Sequence, residues 1–185
     1  IVTTNPDDTV NNNYVRSDAA DYAFAYALTP NSDYENLDDS GGDCTNFVSQ
    51  CLVEGGMPML PTDFTWGFTP KGDIENWFYM TGALDLYLDD WVAYTFSHAG
   101  YFNEHWSQDN HRAYQTVLYE TGNDAIKDIS FLTDYLKKGD IIQLYNEDGE
   151  IYHSMIVYED DVICDGHHFG NSNTCSHTGK KEILY

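Results

Sequence analysis

Basic side chains are scarce in this chain of 185 residues: eight Lys and Arg stand against 31 Asp and Glu, for a formal net charge of −23 at pH 7. Such a surplus repels a phosphate backbone or an anionic membrane surface, which argues against nucleic acid as a partner. A solvated, salt-tolerant surface is the plainest role for the acidity. Long apolar runs are missing too. No stretch approaches the roughly 20 residues of a membrane span, so no membrane insertion is expected. No basic-then-apolar segment opens the chain, which fits a mature, secreted form or a trimmed chain. Repeats and low-complexity segments are absent, and the length suits one domain, 1–185, with a sizeable core.

Cysteine is limited to four residues, enough for two disulfides at most. Geometry rejects one pairing. If Cys44 and Cys51 share a helix, a rise of about 1.5 Å per residue separates them by roughly 10 Å, beyond the Cα reach of a disulfide. Cys164 and Cys175 can pair across a short loop in an oxidising compartment, or remain free thiols.

Aromatic residues are abundant. Fifteen Tyr, nine Phe and four Trp supply core bulk and also a surface suited to polar polymers such as peptides or glycans. Residues 1–13 read as a loose arm rich in Asn, Asp and Thr. A helix is expected from Ser17, capped by Ser17 or Asp18, with Ala20, Ala23, Phe24, Ala27 and Leu28 as its apolar face and Pro30 as its stop. An acidic, turn-rich loop then leads to Gly41-Gly42-Asp43-Cys44.

Behind those glycines, Cys44, Phe47, Val48, Cys51 and Leu52 recur at the spacing of one helix face, and Gly55-Gly56 ends the pattern. Cys44 therefore lies in the first turn. There, unpaired backbone N–H groups and the helix dipole favour a thiolate over a thiol. A small buried hydrophobe is the competing reading of the same residue.

Three prolines interrupt residues 57–72, a long loop in which Phe64, Trp66 and Phe68 either line a binding wall or pin the loop to the core. The aromatic-rich region continues to about residue 130. His98 and His105 stand seven apart there, with no Cys or carboxylate completing a metal set, so they read as surface or hydrogen-bonded residues. Helical spacing is expected over His111 to Glu120 and Ile126 to Leu136. The last third changes period: Asp140 to Tyr145 and Ile151 to Tyr158 read as strands joined by the turn Asn146-Glu147-Asp148-Gly149, with a further strand at Asp161 to Asp165. Helices followed by an antiparallel sheet make an α+β chain.

A cysteine nucleophile needs a base, and His153 in Ile151-Tyr152-His153-Ser154-Met155-Ile156-Val157 is the best-placed candidate. A hydrogen-bonded structural histidine is the alternative.

The run from Gly41 to Leu52 with Gly55-Gly56, and the block Lys138-Gly139-Asp140-Ile141-Ile142-Gln143 before His153-Ser154-Met155-Ile156-Val157, resemble the signature of the putative amidase domain family, a branch of the papain-like cysteine peptidases. The Arg16 to Ala27 helix and the Asn31 loop also fit. Residues 57–130 look divergent or inserted. The resemblance implies a papain-like (NlpC-like) fold, with the Cys44 helix packed on a C-terminal antiparallel sheet that carries His153, and no cofactor. It implies hydrolysis of an amide bond through an acyl-thioester, with a peptide or other amide as substrate, peptidoglycan included, and a secreted or cell-wall-associated protein. Similarity to NlpC-type peptidases extends to Asp43 and Thr45, which flank the cysteine where those enzymes help hold the amino group of a short peptide.

For the third catalytic member, His167 is the first choice, with His168, Asp165 and Asn171 as competitors, since a small register change would exchange them. A zinc site over Cys164, His167, His168, Cys175 and His177 competes, but the spacing matches no compact ligand pattern and no metal is expected. A second oxyanion donor beside the Cys44 N–H is open, with Tyr34 a candidate. Two other functions remain: a non-catalytic glycan- or peptide-binding module on the same fold, and acyl transfer to an amine in place of water.

Overall fold

The computed structural model describes residues 2–4, 13–38, 43–63, 68–82, 90–107, 112–113, 115–121, 124, 137–159, 162–164 and 176–177. Its elements run β1 (Val2–Thr4), α1 (Arg16–Tyr26), α2 (Cys44–Glu54), β2 (Tyr79–Met80), β3 (Trp91–Val92), α3 (Tyr94–Ser97), α4 (Ala99–Trp106), β4 (Gln115–Val117), β5 (Ile141–Tyr145), β6 (Ile151–Glu159), β7 (Val162–Cys164) and β8 (Ser176–His177). Helices come first, and the largest sheet is an antiparallel β5-β6-β7-β8 array late in the chain, an α+β arrangement.

Small residues set how α1 meets α2. Ala19, Ala20 and Ala23 are fully buried, as is Ala27 just beyond the helix. The expected apolar face is rotated: Phe24 and Leu28 are exposed, and Tyr22 takes the inner position. Tyr22 can do so because its hydroxyl donates to Gln50 Oε1 at 2.8 Å, while Phe24 stacks outside on Tyr158. Neither Ser17 nor Asp18 caps the helix. Val15 holds the cap position, and its N–H donates to the Gly55 carbonyl at 2.7 Å. Beside it, the Tyr14 hydroxyl donates to the Gly139 carbonyl at 2.7 Å. The start of α1, the end of α2 and the approach to β5 are thus fastened at one point.

Both faces of α2 are covered. Phe47, Val48, Cys51 and Leu52 enter the core with Trp77, Phe78, Phe96 and Ile156. Its polar residues Thr45, Asn46, Ser49 and Gln50 are buried as well. Each of these side chains makes at least one hydrogen bond, which offsets the cost of burial, although Asn46 Oδ1 is buried without a partner among the described residues. Ser49 donates to the Phe96 carbonyl at 2.8 Å and accepts from Trp77 Nε1 at 3.2 Å.

The β5–β6 hairpin turns at Asn146 to Gly149, where Gly149 has φ +82° and its N–H donates to Asn146 O at 3.0 Å. Leu144 pairs with His153 while Tyr145 pairs with Ile151, so β6 carries one extra residue at Tyr152. Such a bulge bends its strand and re-aims neighbouring side chains.

Two expectations fail in the N-terminal arm and the middle of the chain. Within the helix expected over His111 to Glu120, Gln115–Val117 form β4, which pairs antiparallel with β1 in the supposed loose arm. Strand formation there depends on a partner distant in sequence, which local periodicity does not register. The helix expected over Ile126 to Leu136 lies outside the described residues, as do Phe64 and Trp66; Phe68 is exposed.

Candidate active site at the start of the second helix

Asp43 occupies the N-cap position of α2 but makes no side-chain cap bond. Its carboxylate turns to the preceding loop instead. Asp43 Oδ1 accepts from the Leu37 N–H at 3.0 Å and from Asn46 Nδ2 at 2.7 Å, and Asn46 Nδ2 also donates to the Glu35 carbonyl at 3.0 Å. The loop that delivers the chain to Cys44 is therefore held from inside the first turn.

Cys44 is the first helical residue, almost wholly buried at 6% exposure and a free thiol. Its Sγ lies 3.8 Å from Thr45 Oγ1. Thr45 Oγ1 in turn lies 3.0 Å from Ser154 Oγ on β6. Cys44 and His153 immediately precede these two bonded residues, so the start of α2 is fastened to β6 at the position following the histidine. His153 is 7% exposed and sits next to the bulge, its ring stacked 6.4 Å from that of Tyr152.

The same polar tie continues. Gln143 Nε2 donates to Ser154 Oγ and to the Ala99 carbonyl, both at 3.0 Å, and Gln143 Oε1 accepts from Asn103 Nδ2 at 2.9 Å. Four elements, α2, β6, β5 and α4, meet in this network. Local sequence pattern assigns no role to Gln143, Ser154 or Asn103. A single polar residue within the apolar run Ile141-Ile142-Gln143-Leu144-Tyr145 was the available signal.

Asp43 and Thr45, expected to hold substrate, are both buried with their side chains on intramolecular partners. His167, His168, Asp165 and Asn171 lie outside the described residues, as does Cys175. Tyr34 packs edge-on against Tyr79, with ring centroids 4.8 Å apart, and burial pushes its phenol up to about 12. It remains an O–H donor throughout the neutral range.

Cys51 is fully buried on the same helix, and burial pushes its thiol well up, away from reactivity. His105 is also fully buried; loss of solvation lowers its pKa to about 4 despite the Nδ1 contact with the Ile74 carbonyl at 2.5 Å. Among the described residues no three or more His, Cys, Asp or Glu side chains gather as a metal set, and no helix is long and apolar enough to cross a membrane.

Residues 13–174 match the model of the putative amidase domain. The chain belongs to this family. The matched segment of the putative amidase domain contains both Cys44 and His153. The chain is also similar to the uncharacterized protein YjcM of Bacillus subtilis (strain 168), 29% identical over 147 residues that cover 75% of this chain and 26% of that protein. It thus spans about a quarter of the length of that curated relative. No solved structure matches the chain.

Proposed function

We propose that this putative amidase domain is a papain-like cysteine hydrolase that cleaves an amide bond through an acyl-thioester on Cys44, with His153 as base. The observation that carries the reading is the Thr45 to Ser154 contact at 3.0 Å, which holds the residue after Cys44 against the residue after His153. His153 takes the thiol proton. The thiolate attacks the amide carbonyl carbon, and the C–N bond breaks as His153 returns the proton to the departing amine. Water, deprotonated by the same imidazole, then attacks the thioester and releases a carboxylic acid and the free thiol.

The oxyanion formed in each half faces the first-turn N–H groups that Asp43 does not cap, and one such donor is typically worth about 3 kcal/mol. Tyr34 is the candidate for a second donor. His167 is proposed as the residue that orients His153. Substrate is a peptide amide, with cell-wall peptide the class suggested by the resemblance around Cys44 to NlpC-type peptidases, and the protein acts outside the cell or on the wall.

Mass spectrometry after incubation with muropeptides and small amides, beside Cys44→Ala, tests this. Wild type should release an amine and an acid, and Cys44→Ala neither. Product release by Cys44→Ala, or a thiol-directed probe that ignores Cys44 in favour of the other cysteines, would refute it.

A binding module is the second reading. Tyr94 and Tyr101 are each 40% exposed with ring centroids 5.5 Å apart, an aromatic surface of the kind that holds a sugar or peptide.

A further inference from the structure

The polar tie beneath Cys44 has a direction. Ala99 O is a carbonyl and can only accept, so the Gln143 atom 3.0 Å away must be the amide nitrogen. The same nitrogen therefore donates to Ser154 Oγ at 3.0 Å, while Gln143 Oε1 is held by Asn103 Nδ2 at 2.9 Å. The amide cannot flip without opposing two acceptors at Ala99. Ser154 Oγ, already accepting, has its own O–H to give, and Thr45 Oγ1 lies 3.0 Å away. With Thr45 accepting from Ser154, the Thr45 O–H is left for its other neighbour, Cys44 Sγ at 3.8 Å.

We propose that Gln143, Ser154 and Thr45 form a hydrogen-bond relay of fixed polarity that ends as a donor on Cys44 Sγ and stabilises its thiolate. Thr45 touches the reacting atom and is a catalytic residue in this sense. Ser154 and Gln143 are positioning residues that orient its hydroxyl. A donor favours the charged sulfur because a hydrogen bond to an ion is stronger than one to a neutral thiol. The assignment explains why Thr45 and Ser154 are buried on facing elements and why a glutamine stands in an apolar strand. It rests on Cys44 being the nucleophile, but its test needs no substrate.

The titratable groups around Cys44 are Asp43 beside it, whose carboxylate is occupied by Leu37 and Asn46, and His153 on β6. The helices packed near α2 bring Tyr22, bonded to Gln50, and His105, bonded to Ile74. In the preceding loop, Tyr34 packs on Tyr79, and Glu35 gives its backbone carbonyl to Asn46 Nδ2. All of these are shared by wild type and the variants below.

The experiment follows alkylation of Cys44 by iodoacetamide across pH, read on the Cys44 peptide by mass spectrometry. Thr45→Val should carry the alkylation profile to higher pH, slowing alkylation on its lower limb about tenfold. Thr45→Ser, which restores the hydroxyl, should recover the wild-type profile. Gln143→Leu should give a smaller shift in the same direction, since Ser154 then loses the bond that fixes its orientation. A wild-type profile in folded Thr45→Val overturns the relay, and if that variant does not fold, wild-type profiles in both Gln143→Leu and Ser154→Ala overturn it equally. A merely structural tie would lower the melting temperature and leave the profile in place. Loss of the hydrolase reading alone would show as an inactive protein whose alkylation still shifts.

Discussion

Thr45 on α2 and Ser154 on β6 share a hydrogen bond of 3.0 Å between two fully buried hydroxyls. Each directly follows a residue of the proposed catalytic pair, so this bond sets the register of helix against strand. If it carries energy of its own, Thr45→Val and Ser154→Ala should not be additive. A double-mutant cycle from urea unfolding should give a coupling of about 1 kcal/mol. Additivity within a few tenths would mean that the two hydroxyls merely lie side by side.

Asn46 is fully buried and joins Asp43 to the Glu35 carbonyl. Its removal strips a donor from both acceptors at once. Asn46→Ala should cost about 2–3 kcal/mol. Limited proteolysis should show earlier cleavage within residues 31–38, and equal cleavage rates in wild type and variant would count against the loop being held this way.

His105 makes stability depend on pH in a direction that can be worked out. Burial lowers its folded-state pKa to about 4, below the value of 6.5 for an unperturbed histidine. Between those values the unfolded chain binds a proton that the folded protein refuses, so stability is lost as pH falls from about 6.5 towards 4. The loss attributable to this residue should reach about 3 kcal/mol by the bottom of that window. Chemical denaturation of His105→Gln should show a shallower pH dependence over the same range, and parallel curves would remove His105 as the cause.

Gly55 ends α2 where three segments meet. A Cβ there would lie 2.4 Å from Tyr14 Cε2 and 3.0 Å from Ala19 Cβ, while the Tyr14 ring is held by its hydroxyl bond to Gly139. Gly55→Ala should therefore destabilise the protein by about 1–3 kcal/mol despite the better helix propensity of alanine. An unchanged melting temperature would show that Tyr14 is free to move aside.

Helix α2 and the β5–β6 hairpin are written in local terms and can be read without the fold. Apolar residues at helical spacing from Cys44, bounded by Gly55-Gly56, need no distant partner to be recognised, nor does a polar turn closed by Gly149 between two largely apolar runs. Cys44 at a helix start and His153 on a strand were legible for the same reason. The family relationship was legible in the residues around them, and the matched segment bears it out.

The remaining features depend on contacts between segments far apart in the chain. β4 exists through its pairing with β1, and Tyr22 replaced Phe24 in the core because Gln50 was there to accept its hydroxyl. Thr45, Asn46, Ser49 and Gln50 form a polar face whose burial is stable only through partners on other elements. Periodicity reports which face of a helix is apolar. It carries no information about what covers the other face, and on α2 that cover is what joins the cysteine end of the helix to the histidine strand.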